Sequence, residues 1–556
     1  MNLLNNPWMP VRDAQGQRHW ITPDQLGDPQ WIAFDADRPD FNGALAQFAI
    51  GLLQTTTPVG DSLAWSALYK APPDVTTLQG WFAPVVTAFE LDGDGPRFMQ
   101  DFKLGADGIA INDIGALLIE SPGDNAVKNN TDHFVKRAGI RALCPACAAT
   151  ALFTLQTNAP AGGAGHRTGL RGGGPLTTLV LAPPGGHLWH DLWLNVRDRP
   201  AFLAQGGNPE LTQPQHCMPW LAPITLLQPQ EGEMAQAQVH PAHLYWAMPR
   251  RIRLDTGVPQ QGLCDICGRP SGQLICRYAT KNYGLNYKGS WAHPLSPYYE
   301  TKEGWLPVHP QPGGLGYRHW LAWVLGASTD KKSTRVAQVI DRALQLPHRQ
   351  TGGQLRLWAF GYDMDNMKAR CWYESTLPLY GLADCDRDTR QCVQAEVSRW
   401  LAAAELAGMS LRGAIKDAWF SADARGEFGH VDASFWGTTE APFYRQLQTL
   451  IEAARTGTEP TSLPAREAWH ATLVRCALRL FDDTFVGAGA IERQNPRRVA
   501  LAHRQLRRNL HSPKLRQALG LPTDAPATKP ARKSAKSTPA TKPPNTPQTP
   551  GNQEPT

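Results

Sequence analysis

The sequence predicts an α+β protein: a large mixed N-terminal domain over residues 1–376, a C-terminal four-helix bundle over 377–520 and a disordered tail over 521–556. Three observations carry this. Up to about Leu377, short β-prone runs bounded by Gly- and Pro-rich turns alternate with amphipathic helices. Beyond it, long helical periodicities follow one another through short polar connections, the pattern of a bundle. The last stretch is rich in Pro, Thr and Lys with almost no large apolar residue, so it cannot bury enough surface to offset the entropy of ordering.

Trp8 to Val11 and Arg18 to Ile21 read as a hairpin around a turn at Asp13 to Gly16. Asp40 reads as the N-cap of a helix that carries Leu45, Phe48, Ala49, Leu52 and Leu53 on one face and stops at Pro58. CAATALFTLQ, from Cys147, is helical in pattern, and TTLVL at Thr177 to Leu181 is β-prone. Tyr283 to Tyr287 suits a hairpin with Gly284 at its turn, and a helix is expected around Thr334 to Leu344. In the C-terminal part the helices are Val393 to Lys416, Phe443 to Ala454, Trp469 to Phe481 and Arg493 to Leu510.

The chain has 556 residues, 42% of them hydrophobic, with 19 Trp, enough for sizeable cores. No apolar run approaches the ~18 residues of a membrane span, and the N-terminus lacks the pattern of a signal peptide, so a cytoplasmic protein without a membrane partner is expected. The net charge of +6 is small, but its distribution is uneven. Arg493 to Arg516 carries eight cations and no acid, and Arg250 to Lys288 carries seven against Asp255 and Asp265. Such runs are either solvated basic faces or polyanion-binding surfaces. In the second run Lys281 and Lys288 alternate with Tyr278, Tyr283, Tyr287 and Trp291, an arrangement suited to a nucleic-acid groove.

Two motifs carry chemistry. Cys144 with Cys147 (CPAC) and Cys264 with Cys267 (CDICG) are two Cys-x2-Cys knuckles whose four thiolates suit a tetrahedral structural zinc. The alternative is unrelated buried thiols, because the gap between the pairs far exceeds the ~15–20 residues of compact ribbons. The stretch Ala161 to Thr178, AGGAGHRTGLRGGGPLTT, concentrates glycine with His166, Arg167 and Arg171. It reads as a flexible connection or as a loop whose amides approach an anionic partner, with Ala161 to His166 the candidate ligand-facing part and Gly169 to Thr178 a structural turn and strand near the cysteine knuckles. It is not a Walker A loop, since Pro175 and Leu176 stand where Lys and Ser/Thr would be needed.

Taken together, NLLNNPWMPVR, CPACAATALF, TGLRGGGPLTT, CDICG, WAHPLSPYY, FGYDMDNMKARCW and FYRQ, in this order over most of residues 1–515, resemble the large subunit of type I-E CRISPR Cascade, the CasA family. The resemblance implies a subunit without catalysis of its own in an RNA-guided antiviral surveillance complex. Such a subunit recognises the protospacer-adjacent motif in double-stranded target DNA, opens the duplex and supports recruitment of a helicase-nuclease. It also implies residue roles. The family's glycine loop falls on Gly162, Gly163, Ala164 and Gly165, its lysine finger on Lys281, and its strand-separating wedge on Asn366 and Met367, where the family has glutamine. Phe134 matches the aromatic that engages the guide RNA. Motif reading in the family resembles minor-groove contact, where the base pattern is degenerate.

Two other functions compete. His190-Asp191 with the cysteine knuckles would support a metal-dependent nuclease or phosphohydrolase, although no further ligand set at helical spacing accompanies them. The basic C-terminal helix would support an RNA-binding scaffold that reads no DNA motif.

Overall fold

The computed structural model describes residues 1–523 except 106, 124–126, 130–138, 229–231, 303, 327, 330–331, 347–350, 366–367, 383–384, 420–427, 459–462 and 488–494. The chain combines small antiparallel sheets with helices. Strands β1 (Met9–Asp13), β2 (Arg18–Ile21) and β3 (Trp31–Phe34) form one sheet in the order β2-β1-β3. Strands β4 (Ala110–Asp113), β6 (Arg251–Leu254) and β9 (Arg277–Lys281) form another with β9 central, and β7 (Gln260–Leu263) pairs with β8 (Pro270–Leu274). Strands β10 (Tyr298–Thr301), β11 (Gly304–Pro307), β12 (Ser328–Thr329) and β13 (Lys332–Arg335) pair in the order β11-β10-β13-β12. Finally β5 (Thr177–Leu181) lies beside the long hairpin β14 (Arg356–Asp365) and β15 (Lys368–Pro378).

Helix α1 (Pro39–Thr56) is the axis of the core, buried on almost every face. Phe48 makes edge-on contacts with Trp8, Phe89, Phe98, Phe153 and Trp246 at 5.1–5.8 Å, the arrangement ring quadrupoles favour. Gly43 and Gly51 let neighbours approach. A β-carbon there would stand 2.8 Å from Phe360 and 2.9 Å from Tyr245. Arg38, not Asp40, caps this helix. Asp40 lies in its first turn and is buried, where it pairs with Arg38 at 2.9 Å and accepts a hydrogen bond from Tyr362 Oη at 2.5 Å. Its short polar side chain resembles a cap in sequence but serves a buried network.

The alternative hairpin at Tyr283 to Tyr287 does not form. Gly284 is there for a close backbone approach instead, since a β-carbon would stand 2.0 Å from the carbonyl oxygen of Pro249. The helix expected around Thr334 to Leu344 forms over Gln338–Gln345, with strand β13 taking the residues before it.

After β15 come helices α3 (Arg387–Trp419), α4 (Gly429–Thr456), α5 (Leu463–Arg479), α6 (Pro496–Leu510) and α7 (Pro513–Ala518), with a π turn at Leu480–Phe485 after α5; α2 is the earlier helix Pro145–Asn158. Trp469 Nε1 donates to the Trp400 carbonyl at 3.1 Å, and the His470 ring hydrogen-bonds the Leu510 carbonyl at 2.8 Å, so α5 ties α3 to α6. Glu396 on α3 is a buried carboxylate held by Arg466 at 2.8 Å, Arg399 at 3.1 Å and Trp400 Nε1 at 3.0 Å. Such a charge is tolerable inside because every partner reaches it. The helices share one continuous core with the sheets: Tyr317 stacks on Phe443 at 4.3 Å, and its hydroxyl meets Thr439 Oγ1 at 2.9 Å. The tail expected from Leu521 falls, from residue 524 on, outside the described residues. No helix among the described residues is long and apolar enough to cross a membrane.

Candidate nucleic-acid interface and metal centre

The two cysteine pairs, remote in sequence, meet. Cys144 caps the N-terminus of α2, its Sγ accepting from the Cys147 amide at 3.5 Å, while Cys264 and Cys267 lie on the turn between β7 and β8. Leu143 and Ile275 exchange backbone hydrogen bonds of 3.0 and 2.8 Å, which closes the long gap. Asp265 completes the clamp by accepting from the amides of Arg141 at 2.6 Å and Ala142 at 2.8 Å. Gly268 turns the second knuckle with φ +67° and donates to the Cys264 carbonyl at 2.9 Å.

All four sulfurs lie within 4.8 Å of one another, and Cys144 Sγ and Cys267 Sγ are 3.7 Å apart. Zinc–sulfur bonds of about 2.3 Å in a tetrahedron put sulfurs about 3.8 Å apart, so the set fits that ion. Hydrogen bonds within the cluster shift its thiols in opposite directions: those from Cys144, then Cys147, bring Cys267 down to about 7 and put Cys264 lower still, while Cys144 and Cys147 go up. Thiolate character is what a metal requires. Among the described residues no other group of three or more His, Cys, Asp or Glu side chains comes close enough to share an ion. His190 and Asp191 instead sit in a short helix, where Asp191 accepts from the Ala182 amide at 2.7 Å and burial raises its carboxyl to about 6.

The glycine stretch divides in two. Its second half is structural. Gly169 donates to the Ala159 carbonyl at 2.9 Å and Gly174 to the Asn158 carbonyl at 3.2 Å, and β-carbons at Gly169 or Gly173 would collide with Thr157 and Pro160. Arg171, one of the cations expected to attract an anion, is buried. Its guanidinium donates to Thr177 and Ser296 at 3.0 Å and to Gln47 at 2.5 Å, and burial pushes it down to about 10.

The first half is exposed from Ala161 to Ala164. It leans on the end of β9, the strand that carries Lys281 opposite Arg251. Tyr283 N donates to the Gly165 carbonyl at 2.9 Å and Asn282 Nδ2 to the Ala164 carbonyl at 2.9 Å. The structure thus brings Gly162, Gly163, Ala164 and Gly165 together with the strand end at Lys281. The Lys281 side chain is half-buried, runs past Gly108 and makes no ion pair among the described residues. Asn282 and Tyr283, the latter expected only as part of a cation–aromatic pattern, make these contacts with the loop. Tyr283 has φ +65°, which periodicity cannot reveal.

The β14–β15 hairpin pairs Asp365 with Lys368, and Arg370 grips Asp363 through two hydrogen bonds of 2.8 and 3.2 Å near that end. Asn366 and Met367 between them, and Phe134, lie outside the described residues. The hairpin is fastened to the glycine stretch, since a β-carbon at Gly174 (φ +61°) would stand 2.7 Å from Tyr362 and one at Gly361 2.7 Å from the Pro175 carbonyl.

Residues 2–480 match the family described as CRISPR-associated protein Cse1. The chain belongs to this family. Its fold agrees with solved Cse1 structures. The match to Cse1 of Thermobifida fusca has a TM-score of 0.68 at 18% identity and covers 94% of this chain and 99% of that one. Cse1 of Acidimicrobium ferrooxidans gives 0.62 at 18% identity over 93% and 99%. A chain of a CRISPR RNA-guided surveillance complex gives 0.65 at 18% identity over 92% and 99%. At such identity these likenesses describe the fold. Helices α6 and α7, with the cations of Arg497 to Arg516, lie beyond the residues of the family match.

Proposed function

We propose that this chain is the non-catalytic large subunit of a type I-E CRISPR surveillance complex, which reads the protospacer-adjacent motif of target duplex DNA and helps to open it. The observation that carries the reading is the seating of the exposed loop Gly162 to Gly165 on the strand end that presents Lys281. Bare glycine backbone can enter a groove that side chains would block, and an adjacent ammonium supplies the charge that attracts the duplex. Asn366 and Met367 act as the strand wedge, with an apolar side chain able to unstack a base step. Phe134 engages the guide RNA. Cys144, Cys147, Cys264 and Cys267 hold a structural zinc that fixes the start of α2, after which the loop emerges. The C-terminal helices form the four-helix bundle, which contacts DNA strands and neighbouring subunits, and the assembled complex recruits a helicase-nuclease in the cytoplasm.

Reconstitution tests this. A guide-RNA complex assembled with this chain should bind a motif-bearing duplex at least about tenfold tighter than one with a scrambled motif, roughly 1.4 kcal/mol of discrimination. Omitting the chain should abolish the difference. Nicking of the target by this chain alone with Mg2+ or Mn2+ would contradict the proposal and favour a metal-dependent nuclease.

A further inference from the structure

We propose that Asn282 and Tyr283 are positioning residues that latch the glycine loop to the lysine strand and so set the geometry in which duplex DNA is read. The inference rests on the motif-reading function proposed above and names how its two halves are kept in register. Strand β9 ends at Lys281, and the next two residues both reach the loop: Asn282 through its side-chain amide to Ala164, Tyr283 through its backbone amide to Gly165.

The packing is as close as the hydrogen bonding. Gly165 has φ +80°, and a β-carbon on it would stand 2.6 Å from Asn282 Cβ and 3.3 Å from the Tyr283 ring. Only glycine fits between the latch and the loop. The Tyr283 ring also carries the Arg167 guanidinium at 5.6 Å from its centroid, a second contact with the chain just past Gly165.

Tyr283 holds this position in the left-handed region, where a bulky side chain is disfavoured. Its ring is also 44% exposed, so burial of the aromatic does not account for the conformation. Of the described residues only Met99 shares a positive φ without being glycine, and Met99 is fully buried in the core. Strained backbone maintained on an exposed aromatic beside a candidate ligand surface is the pattern of a residue kept for placement.

The latch makes an unusual forecast, because relieving the strain should spare the fold and harm recognition. In the complex assembled with guide RNA, Tyr283→Gly should melt at or above the wild-type temperature yet bind motif-bearing duplex about tenfold more weakly, a loss of about 1.4 kcal/mol. Asn282→Ala should lose affinity in the same direction, and Tyr283→Phe, which keeps ring and amide, should behave as wild type. Binding of a pre-melted target should stay within about twofold in all three, since the loop and lysine act on the closed duplex. Lys281→Ala in the same assay separates the two levels of the argument. If it weakens duplex binding while Tyr283→Gly and Asn282→Ala do not, the latch is wrong and the motif-reading function stands. If none of these variants changes duplex binding, that function itself is wrong.

Discussion

Replacing Lys281 with alanine should weaken binding of the assembled complex to a closed, motif-bearing duplex by about tenfold or more, as loss of one groove contact worth about 1–3 kcal/mol implies. Pre-melted target should be bound nearly as before. The reason lies in where the lysine sits. Its strand is the centre of the β4-β9-β6 sheet and its side chain is half-buried along Gly108, so the strand fixes where the lysine leaves the backbone. With no ion pair among the described residues, it has its charge available for DNA. The same variant should lower the salt dependence by about one phosphate contact if the lysine also neutralises the backbone. Equal losses on closed and pre-melted targets would place Lys281 on the paired strand and contradict its role in duplex reading.

The second large effect concerns the metal. Cys264→Ser should release about one zinc per chain, since a serine hydroxyl stays protonated where a thiolate would bind. Structural zinc contributes to folding free energy directly, so melting temperature should drop in the same variant. Loosening should extend to the loop, because the Leu143–Ile275 and Asp265 clamps place the start of α2, and the glycine loop begins where α2 ends at Asn158. Faster amide exchange or protease cleavage near residues 161–166 would report it. The pH dependence has a definite sign. Thiolates bind metal and thiols do not, so retention is complete at alkaline pH and lost as pH falls. A Cys264→Ser protein with full zinc content would show that the four cysteines do not share one ion.

In the candidate site, the cysteine cluster and the glycine loop were legible in the sequence for reasons that are local. A Cys-x2-Cys knuckle declares itself by spacing, and a run of glycines by composition. What closes the distance between the knuckles is not local. It is one antiparallel bridge, Leu143 with Ile275, between residues that carry no signal of pairing. Arg171 lies in the half expected to be structural, yet what holds it there is not local either. In sequence it stands among glycines like a phosphate ligand, and only the tertiary positions of Gln47, Thr177 and Ser296 make it a buried strut. Gly284 looked like a turn because glycine signals both positive φ and close approach, and here it is the second. Tyr283 was assigned to an aromatic-cation pattern, yet its importance lies in a backbone angle that side-chain identity argues against. The amphipathic helices of the C-terminal part were readable from periodicity, whereas the packing of Tyr317 against Phe443 and Thr439 was not.

The central claim is that the loop from Gly162 to Gly165 faces the motif. Gly163 offers a direct test, since a side chain there would meet nothing within 4 Å. A photo-cross-linking residue at position 163, in the complex assembled with guide RNA and presented with a motif-bearing duplex, should link to the base pairs of the motif and lose those links when the motif is scrambled. Cross-links confined to the guide-paired region, or insensitive to the motif, would contradict the account.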